Sequence, residues 1–304
     1  MNQFCQGTNG GWIKYNHNPV LGGDLGVCFD ISMLKDNNRI VMYFSWRDKA
    51  SIAVTTSSDG IHWSEPQICL RPRYTSSGRE DRLNRPSVIK KGSIYHMWYT
   101  GQHKGSAENA TSDIFHAVSE DGVHFTRTGD APVLSAQEAW EKQAVMCPSV
   151  IWDEVRQRFL MWYSGGEQYE PNAIGYAESY DGCDWHKYGP PIFVADPSSN
   201  WECHKVTACQ VFLHDGWYWM FYIGFKNEDY AQIGMARSKD GVTGWERSSL
   251  NPIISPDAGT WDSEACYKPF VLFHENRWLL WYNGRRGIKE QIGLCIHDSP
   301  ILNF

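Results

Sequence analysis

The chain has 304 residues, of which 42 % are hydrophobic and 21 % charged, a balance that excludes a disordered chain and allows a sizeable core. A net charge of −7 leaves no basic stripe for a nucleic-acid backbone, so nucleic acid is not an expected partner. The outlier is aromatic content at 14 %, with 15 Trp, 15 Tyr and 13 Phe beside 27 Gly; such side chains suit a pleated surface and glycines its turns, so the fold is expected to be all-β.

The N-terminal residues carry neither a cationic segment nor an apolar one of the kind that leads secretion, and the longest apolar run, 217–225, is too short to span a bilayer. That run predicts no membrane partner, and the 9 cysteines, scattered singly, predict reduced thiols and a cytoplasmic location.

The first predicted element is a strand over 11–21, Trp12-Ile13-Lys14-Tyr15 through Pro19-Val20-Leu21. It has the form of segments that close later repeats, such as Trp185 to Phe193 and Trp245 to Ile254. One series of short elements then recurs. An apolar strand, as in Pro86-Ser87-Val88-Ile89 and Pro148-Ser149-Val150-Ile151, leads through a polar turn to a second strand. The second strands read Met42-Tyr43-Phe44-Ser45, Met97-Trp98-Tyr99-Thr100-Gly101, Met161-Trp162-Tyr163-Ser164-Gly165, Met220-Phe221-Tyr222-Ile223-Gly224 and Leu280-Trp281-Tyr282-Asn283-Gly284. A third strand, such as Ile174 to Ser179, ends in Ser-x-Asp-Gly and a fourth strand follows. The repeat aspartates Asp59, Asp121, Asp181, Asp240 and Asp298 lie 62, 60, 59 and 58 residues apart.

Four antiparallel strands repeated five times predict a five-bladed β-propeller, one domain over residues 1–304. The last repeat stops before its own fourth strand, so residues 11–21 are expected to complete that blade and close the ring, leaving no free edge. A phrase present in every repeat reads as architecture, and Ser-x-Asp-Gly-x-x-Trp is taken as turn and blade packing.

These repeat words resemble those of the five-bladed propeller glycosidases, among them glycoside hydrolase families 43, 32 and 130. The resemblance implies a carbohydrate substrate, a pocket on the central axis and carboxylates on the innermost strands. Asp30-Ile31-Ser32 stands where family 43 has Asp-Pro-Ser and where family 32 has an aspartate nucleophile. Glu202 sits in a Trp-Glu-Cys phrase similar to the family 32 acid/base motif, followed here by His204 instead of Pro. The third family 43 carboxylate falls on Cys147, and the Glu-Gly-Pro phrase of the fourth blade is missing.

A propeller site must break the repeat. Aligned innermost strands give an acidic column that does not break it, Asp24, Glu80, Glu141, Glu202 and Asp262, which reads first as structural, although some of its members would reach the pocket mouth. Two columns vary: Gly26, Arg82, Gln143, His204, Glu264, and Asp30, Arg85, Cys147, Ala208, Lys268. Burying such charges near an axis is costly unless they meet a partner or ligand.

Glycoside cleavage needs two carboxyl groups in unequal protonation states. Asp30 is expected as base or nucleophile, with Glu264 or Glu202 as the acid. Arg82, Arg85, Gln143, His204, Lys268, Asp81 and Glu141 are expected to bind substrate. Arg47, Arg285 and Arg286 follow second strands, and with the column cations they suit an anionic sugar or phosphate. Trp46, Tyr169 and Tyr230 are candidates to stack on a sugar face. No metal or cofactor motif is present. A glycosidase, a phosphate-dependent phosphorylase and a glycan-binding propeller without catalysis all remain compatible with these residues.

Overall fold

Each Met-Trp-Tyr phrase forms the second strand of an antiparallel meander in the computed structural model, which describes residues 7–36, 38–74, 78–103, 111–167 and 171–304. The first strands are Cys28–Asp36, Arg82–Lys91, Ala144–Asp153, Lys205–His214 and Ala265–His274. They pair with the second strands Arg39–Trp46, Ile94–Gln102, Arg158–Gly166, Trp217–Phe225 and Arg277–Arg286. The third strands are Ser51–Ser57, Ser112–Ser119, Pro171–Ser179, Ala231–Ser238 and Lys289–His297. Short outer strands follow at Gln67–Leu70, Thr126–Arg127, His186–Lys187 and Glu246–Arg247. The last meander takes its outer strand from the other end of the chain, where Ile13 pairs with Ile296 and Lys14 with Cys295. The fold is all-β, in sheets of four, eight and nine strands.

The repeated words hold neighbouring meanders together. Trp98, Trp162 and Trp281 are fully buried, and each donates its indole N–H to an Asp-Gly turn of the adjacent meander: Gly182 at 2.8 Å, Gly241 at 2.7 Å and Gly60 at 2.9 Å. The last of these joins the fifth meander to the first. In the turn itself, one carboxylate oxygen of Asp59 accepts the backbone N–H groups of Ile61 and His62, both at 2.9 Å. Asp121, Asp181 and Asp240 repeat that geometry. The turn satisfies backbone donors that would otherwise be lost.

The Pro-Ser-Val phrase makes a second stitch. The hydroxyl of Ser32 accepts from Val88 N–H at 2.9 Å, Ser87 from Val150 at 3.0 Å and Ser149 from Val211 at 3.0 Å. The glycine ending a second strand makes room for a tryptophan. A Cβ on Gly165 would lie 2.5 Å from the Trp140 ring, and one on Gly284 would lie 2.2 Å from Trp261.

The acidic column is a third staple. Glu80, Glu141, Glu202 and Asp262 are all at most 2 % exposed. Glu80, Glu141 and Asp262 accept the phenol of their own second strand, Tyr99 at 2.7 Å, Tyr163 at 2.6 Å and Tyr282 at 2.8 Å, and Glu202 stands beside Tyr222. Each also meets a cation of the outer strand: Arg127 at 2.7 Å, Lys187 at 2.6 Å, Arg247 at 2.7 Å and Lys14 at 2.7 Å. One carboxyl therefore ties the entry of a meander to its second and fourth strands. Asp24 alone is exposed.

Among the described residues no helix is long and apolar enough to cross a membrane.

Candidate functional site

Every first strand is broken by a β-bulge at the same place. The register shifts between Phe29 and Ser32, Asn84 and Ser87, Met146 and Ser149, Thr207 and Cys209, and Tyr267 and Phe270. The residues in the bulges are Asp30, Arg85, Cys147, Ala208 and Lys268, all left-handed with φ between 35° and 56°. None is a glycine, so each carries a local backbone cost that the surrounding structure must hold. Hydroxyls of the preceding meander do part of this. Ser45 accepts the Arg85 N–H at 2.9 Å, Thr100 that of Cys147 at 3.1 Å, and Ser164 that of Ala208 at 2.8 Å. A bulge re-aims a side chain out of the strand alternation. Here the variable sequence column is the set of re-aimed side chains.

A cavity of about 360 Å³ opens over these bulges, lined by Asp30, Arg85, Cys147 and Ala208 with Arg47, Lys205, Tyr267, Arg285 and Glu290. Asp30 is 4 % exposed. One of its carboxylate oxygens accepts from Asn283 Nδ2 at 3.4 Å; the other, Oδ2, lies 3.5 Å from Arg85 Nε and is buried with no hydrogen-bond partner among the described residues. Arg85 Nη1 and Arg285 Nε are buried and unpartnered in the same sense. Unsatisfied buried polar atoms are rare in folded proteins and mark places where a ligand or water belongs.

The second buried carboxylate is Glu290, 8 % exposed. It lies 2.7 Å from Arg47, and its charge stands beside the Tyr267 phenol. Burial and the neighbouring Glu290 charge push the Tyr267 phenol well above its ordinary value, so it keeps its proton. Burial pushes the Cys147 thiol up against the opposing charges of Arg85 and Lys268. Lys268, 3 % exposed, completes the ring of bulges.

The cavity opens outward into a cleft of about 910 Å³ lined by His204, Tyr230 and Glu264, with Glu228, Asp229 and Arg285 shared between the two. Glu264 is exposed there, its carboxylate 3.8 Å from Arg285 Nε. His204 is exposed and lines the same cleft.

The other expected residues lie elsewhere. Glu202 and Glu141 do not line the cavity; both are the staples described above. Burial pushes the Glu202 carboxyl up past the pull of Arg247. It pushes Glu141 up too, but the Gln137 N–H, Lys187 and Tyr163 bring that carboxyl below its ordinary value. Arg82 and Gln143 are exposed and outside the cavity lining, and Asp81 is half-buried beside Gly78. The register also shifts the first variable column in the second meander: Asp81, not Arg82, occupies the place of Gln143, His204 and Glu264. Trp46 donates its indole N–H to Leu25 at 2.7 Å and does not line the cavity. Tyr169 lies outside the described residues.

Glu290 and Tyr267 escaped the sequence reading, although a signal existed. Glu290 opens a third strand where Ser112, Pro171 and Ala231 stand in other meanders. Tyr267 is the one phenol in a column of Phe29, Asn84, Met146 and Thr207. Both break the repeat as Asp30 does.

The sequence profile described as Glycosyl hydrolases family 43 matches residues 16–298. An uncharacterized protein of Mycobacterium tuberculosis is 26 % identical over 272 residues, 85 % of this chain and 88 % of that one. A β-1,2-mannobiose phosphorylase of Thermoanaerobacter sp. is 25 % identical over 174 residues, 52 % of this chain and 56 % of its own. A crystal structure of a glycosyl hydrolase from Bacteroides ovatus superposes with a TM-score of 0.77 at 15 % identity, covering 97 % of this chain and 95 % of the other.

Proposed function

This chain belongs to glycosyl hydrolases family 43, and on that footing we propose that it cleaves a glycosidic bond in the cavity around Asp30. The proposal takes the five meanders as the blades of one closed five-bladed propeller over residues 1–304, with 11–21 completing the last blade. The pairing of Ile13 with Ile296 and the Trp281 contact with Gly60 support it. A cytoplasmic setting fits the eight described cysteines, all of them free thiols.

The observation that carries the reading is Asp30 itself: a buried carboxylate, fixed in a left-handed bulge, with an unsatisfied oxygen in a cavity over the bulges. Such a group is placed to act as base or nucleophile at an anomeric carbon. Glu264 stands at the rim, where a leaving group extending into the cleft would come within its reach. His204 faces the same cleft, and Arg85 and Lys205 bring positive charge to the cavity beneath it. Glu202, Glu141, Arg82 and Gln143 are left out of the reaction.

A second reading is phosphorolysis. Its support is the set of cations around the cavity, with Arg85 Nη1 and Arg285 Nε lacking a hydrogen-bond partner among the described residues, together with the phosphorylase among the relatives. One experiment separates the readings: sugar release from a broad glycoside panel, with and without inorganic phosphate, by wild type and Asp30→Asn. Release that is lost in a folded Asp30→Asn protein supports the proposal, and dependence on phosphate selects the second reading. Undiminished release by Asp30→Asn refutes both.

A further inference from the structure

The cleft outside the cavity does not end at its rim. Lys226, Asn227 and Tyr230 line the cleft and also a notch of about 440 Å³, which Asn200, Trp201 and Gln232 border as well. Cavity, cleft and notch therefore form one path along residues 226–230, the loop between the second and third strands of the fourth meander. The loop is held in place. Asn227 Oδ1 accepts the N–H groups of Asp229 at 3.0 Å and Tyr230 at 2.8 Å, and Lys226 N–H donates to the Tyr230 carbonyl at 3.1 Å. From the fifth meander, Arg285 donates to the Asp229 carbonyl at 3.0 Å.

Two residues of the notch break the repeat. By register the counterparts of Tyr230 are Ala50, Thr111 and Lys289, so it is the one aromatic at that place among the described residues. Trp201 breaks it in its bonding. Its counterpart Trp140 donates the indole N–H to Gly189 at 2.7 Å, whereas the carbonyl in the place of Gly189, that of Leu250, accepts from Asn9 at 2.8 Å. The Trp201 indole N–H is left without an acceptor among the described residues. Gln232 spends its Nε2 on Ser255 at 2.7 Å and keeps its amide oxygen to accept, and Asn200 is exposed. An aromatic ring beside amides and an unspent indole N–H matches a sugar ring, which has an apolar face and a rim of hydroxyls that both donate and accept.

Resting on the glycoside-cleaving reading above, we infer that the notch is a sugar subsite on the leaving-group side. The substrate is an oligosaccharide whose terminal residue enters the cavity and whose chain follows the loop 226–230, with a downstream ring packed on Tyr230. Glu264 lines the cleft that joins the two, so the chain beyond the scissile bond crosses that cleft. Tyr230 is a positioning residue: it holds the chain and sets the preference for its length.

The test is the dependence of cleavage on chain length. Wild type and variants are given gluco-, galacto-, manno-, xylo- and arabino-oligosaccharides from disaccharide to hexasaccharide. The glycosyl fluoride of each sugar serves as a substrate too small to reach the notch. Wild-type kcat/KM should rise with length and then level. Tyr230→Ala should lower the ratio of kcat/KM on the hexasaccharide to that on the fluoride by about tenfold, the effect of one ring contact. Tyr230→Phe should keep most of that ratio. Asn200→Trp, a change at an exposed position, should fill the notch and flatten the length profile. The same oligosaccharides titrated calorimetrically into Asp30→Asn should show the length dependence as affinity.

A flat wild-type profile overturns the inference. So does an equal loss on fluoride and hexasaccharide in Tyr230→Ala, a profile unaltered by Asn200→Trp, or no binding of any oligosaccharide to Asp30→Asn. Where cleavage remains dependent on Asp30, the glycoside-cleaving reading stands without it. If a folded Asp30→Asn protein cleaves as wild type does, that reading falls and the inference falls with it.

Discussion

Removing the cation from one buried staple should unfold the protein earlier without touching its chemistry. Lys187 Nζ lies 2.7 and 2.6 Å from the two oxygens of Glu141, and the side chains are 7 % and 0 % exposed. In Lys187→Met the carboxylate stays buried and loses its counter-charge, a change that costs about 3–5 kcal/mol. For a chain of this size roughly 2 °C of melting temperature goes with each kcal/mol, so Tm should fall by about 6–10 °C. Differential scanning calorimetry at pH 7 measures it. The deficit should shrink in acid. The folded Glu141 carboxyl sits below its ordinary 4.5, so its stabilising contribution is complete above 4.5 and is lost as pH falls through the folded value. Glu141→Gln combined with Lys187→Met should recover much of the loss, because the neutral amide can still accept from Tyr163. A Tm loss under about 2 °C would refute the staple. An unchanged Tm with a raised KM would return Glu141 to the substrate-binding role its column had suggested.

Other expectations follow from separate parts of the structure. Ser164→Ala removes the acceptor of the Ala208 N–H and leaves that bulge donor buried; denaturant unfolding should show a loss of about 1–3 kcal/mol. Trp281→Ala empties a fully buried site and cuts the contact with Gly60, for a loss of about 3–5 kcal/mol in the same assay. His116, held down at about 3 by burial and by His96, stays neutral in the folded protein, whereas the unfolded chain takes up a proton near 6.5. Stability should therefore be flat above pH 6.5 with respect to this group and fall between 6.5 and about 3, by at most about 1.4 kcal/mol per pH unit; His116→Gln should flatten that stretch of a Tm–pH profile. Asp30→Asn should keep the wild-type Tm while losing about 10²–10⁴-fold in kcat on any substrate the panel identifies.

The repeat made most of the architecture readable before any coordinates. Periodic Met-Trp-Tyr and Asp-Gly phrases encode local events: a strand whose alternate side chains are buried, and a turn closed by its own aspartate. Local events depend on neighbouring residues, so sequence carries them directly. The same logic picked out Asp30, Arg85 and Lys268, because a charged residue at a repeated position contradicts the pattern that buries its counterparts. It was less able to sort the acids. Glu202 and Glu141 look like candidates in one dimension, and only the arrival of Arg247 and Lys187 from outer strands shows that their charge is already met.

Glu290 was illegible for a related reason. It follows Arg285-Arg286-Gly287-Ile288-Lys289, a stretch that reads as a solvated turn, and nothing along the chain ties it to Arg47, more than two hundred residues earlier. The sequence alone determined an all-β chain of repeated four-stranded units and the residues that depart from the repeat. Tertiary structure decided which of those departures face one another. A meander closes through nearest neighbours, but a cavity over the bulges collects side chains from distant strands, and bulge geometry, not strand alternation, aims them.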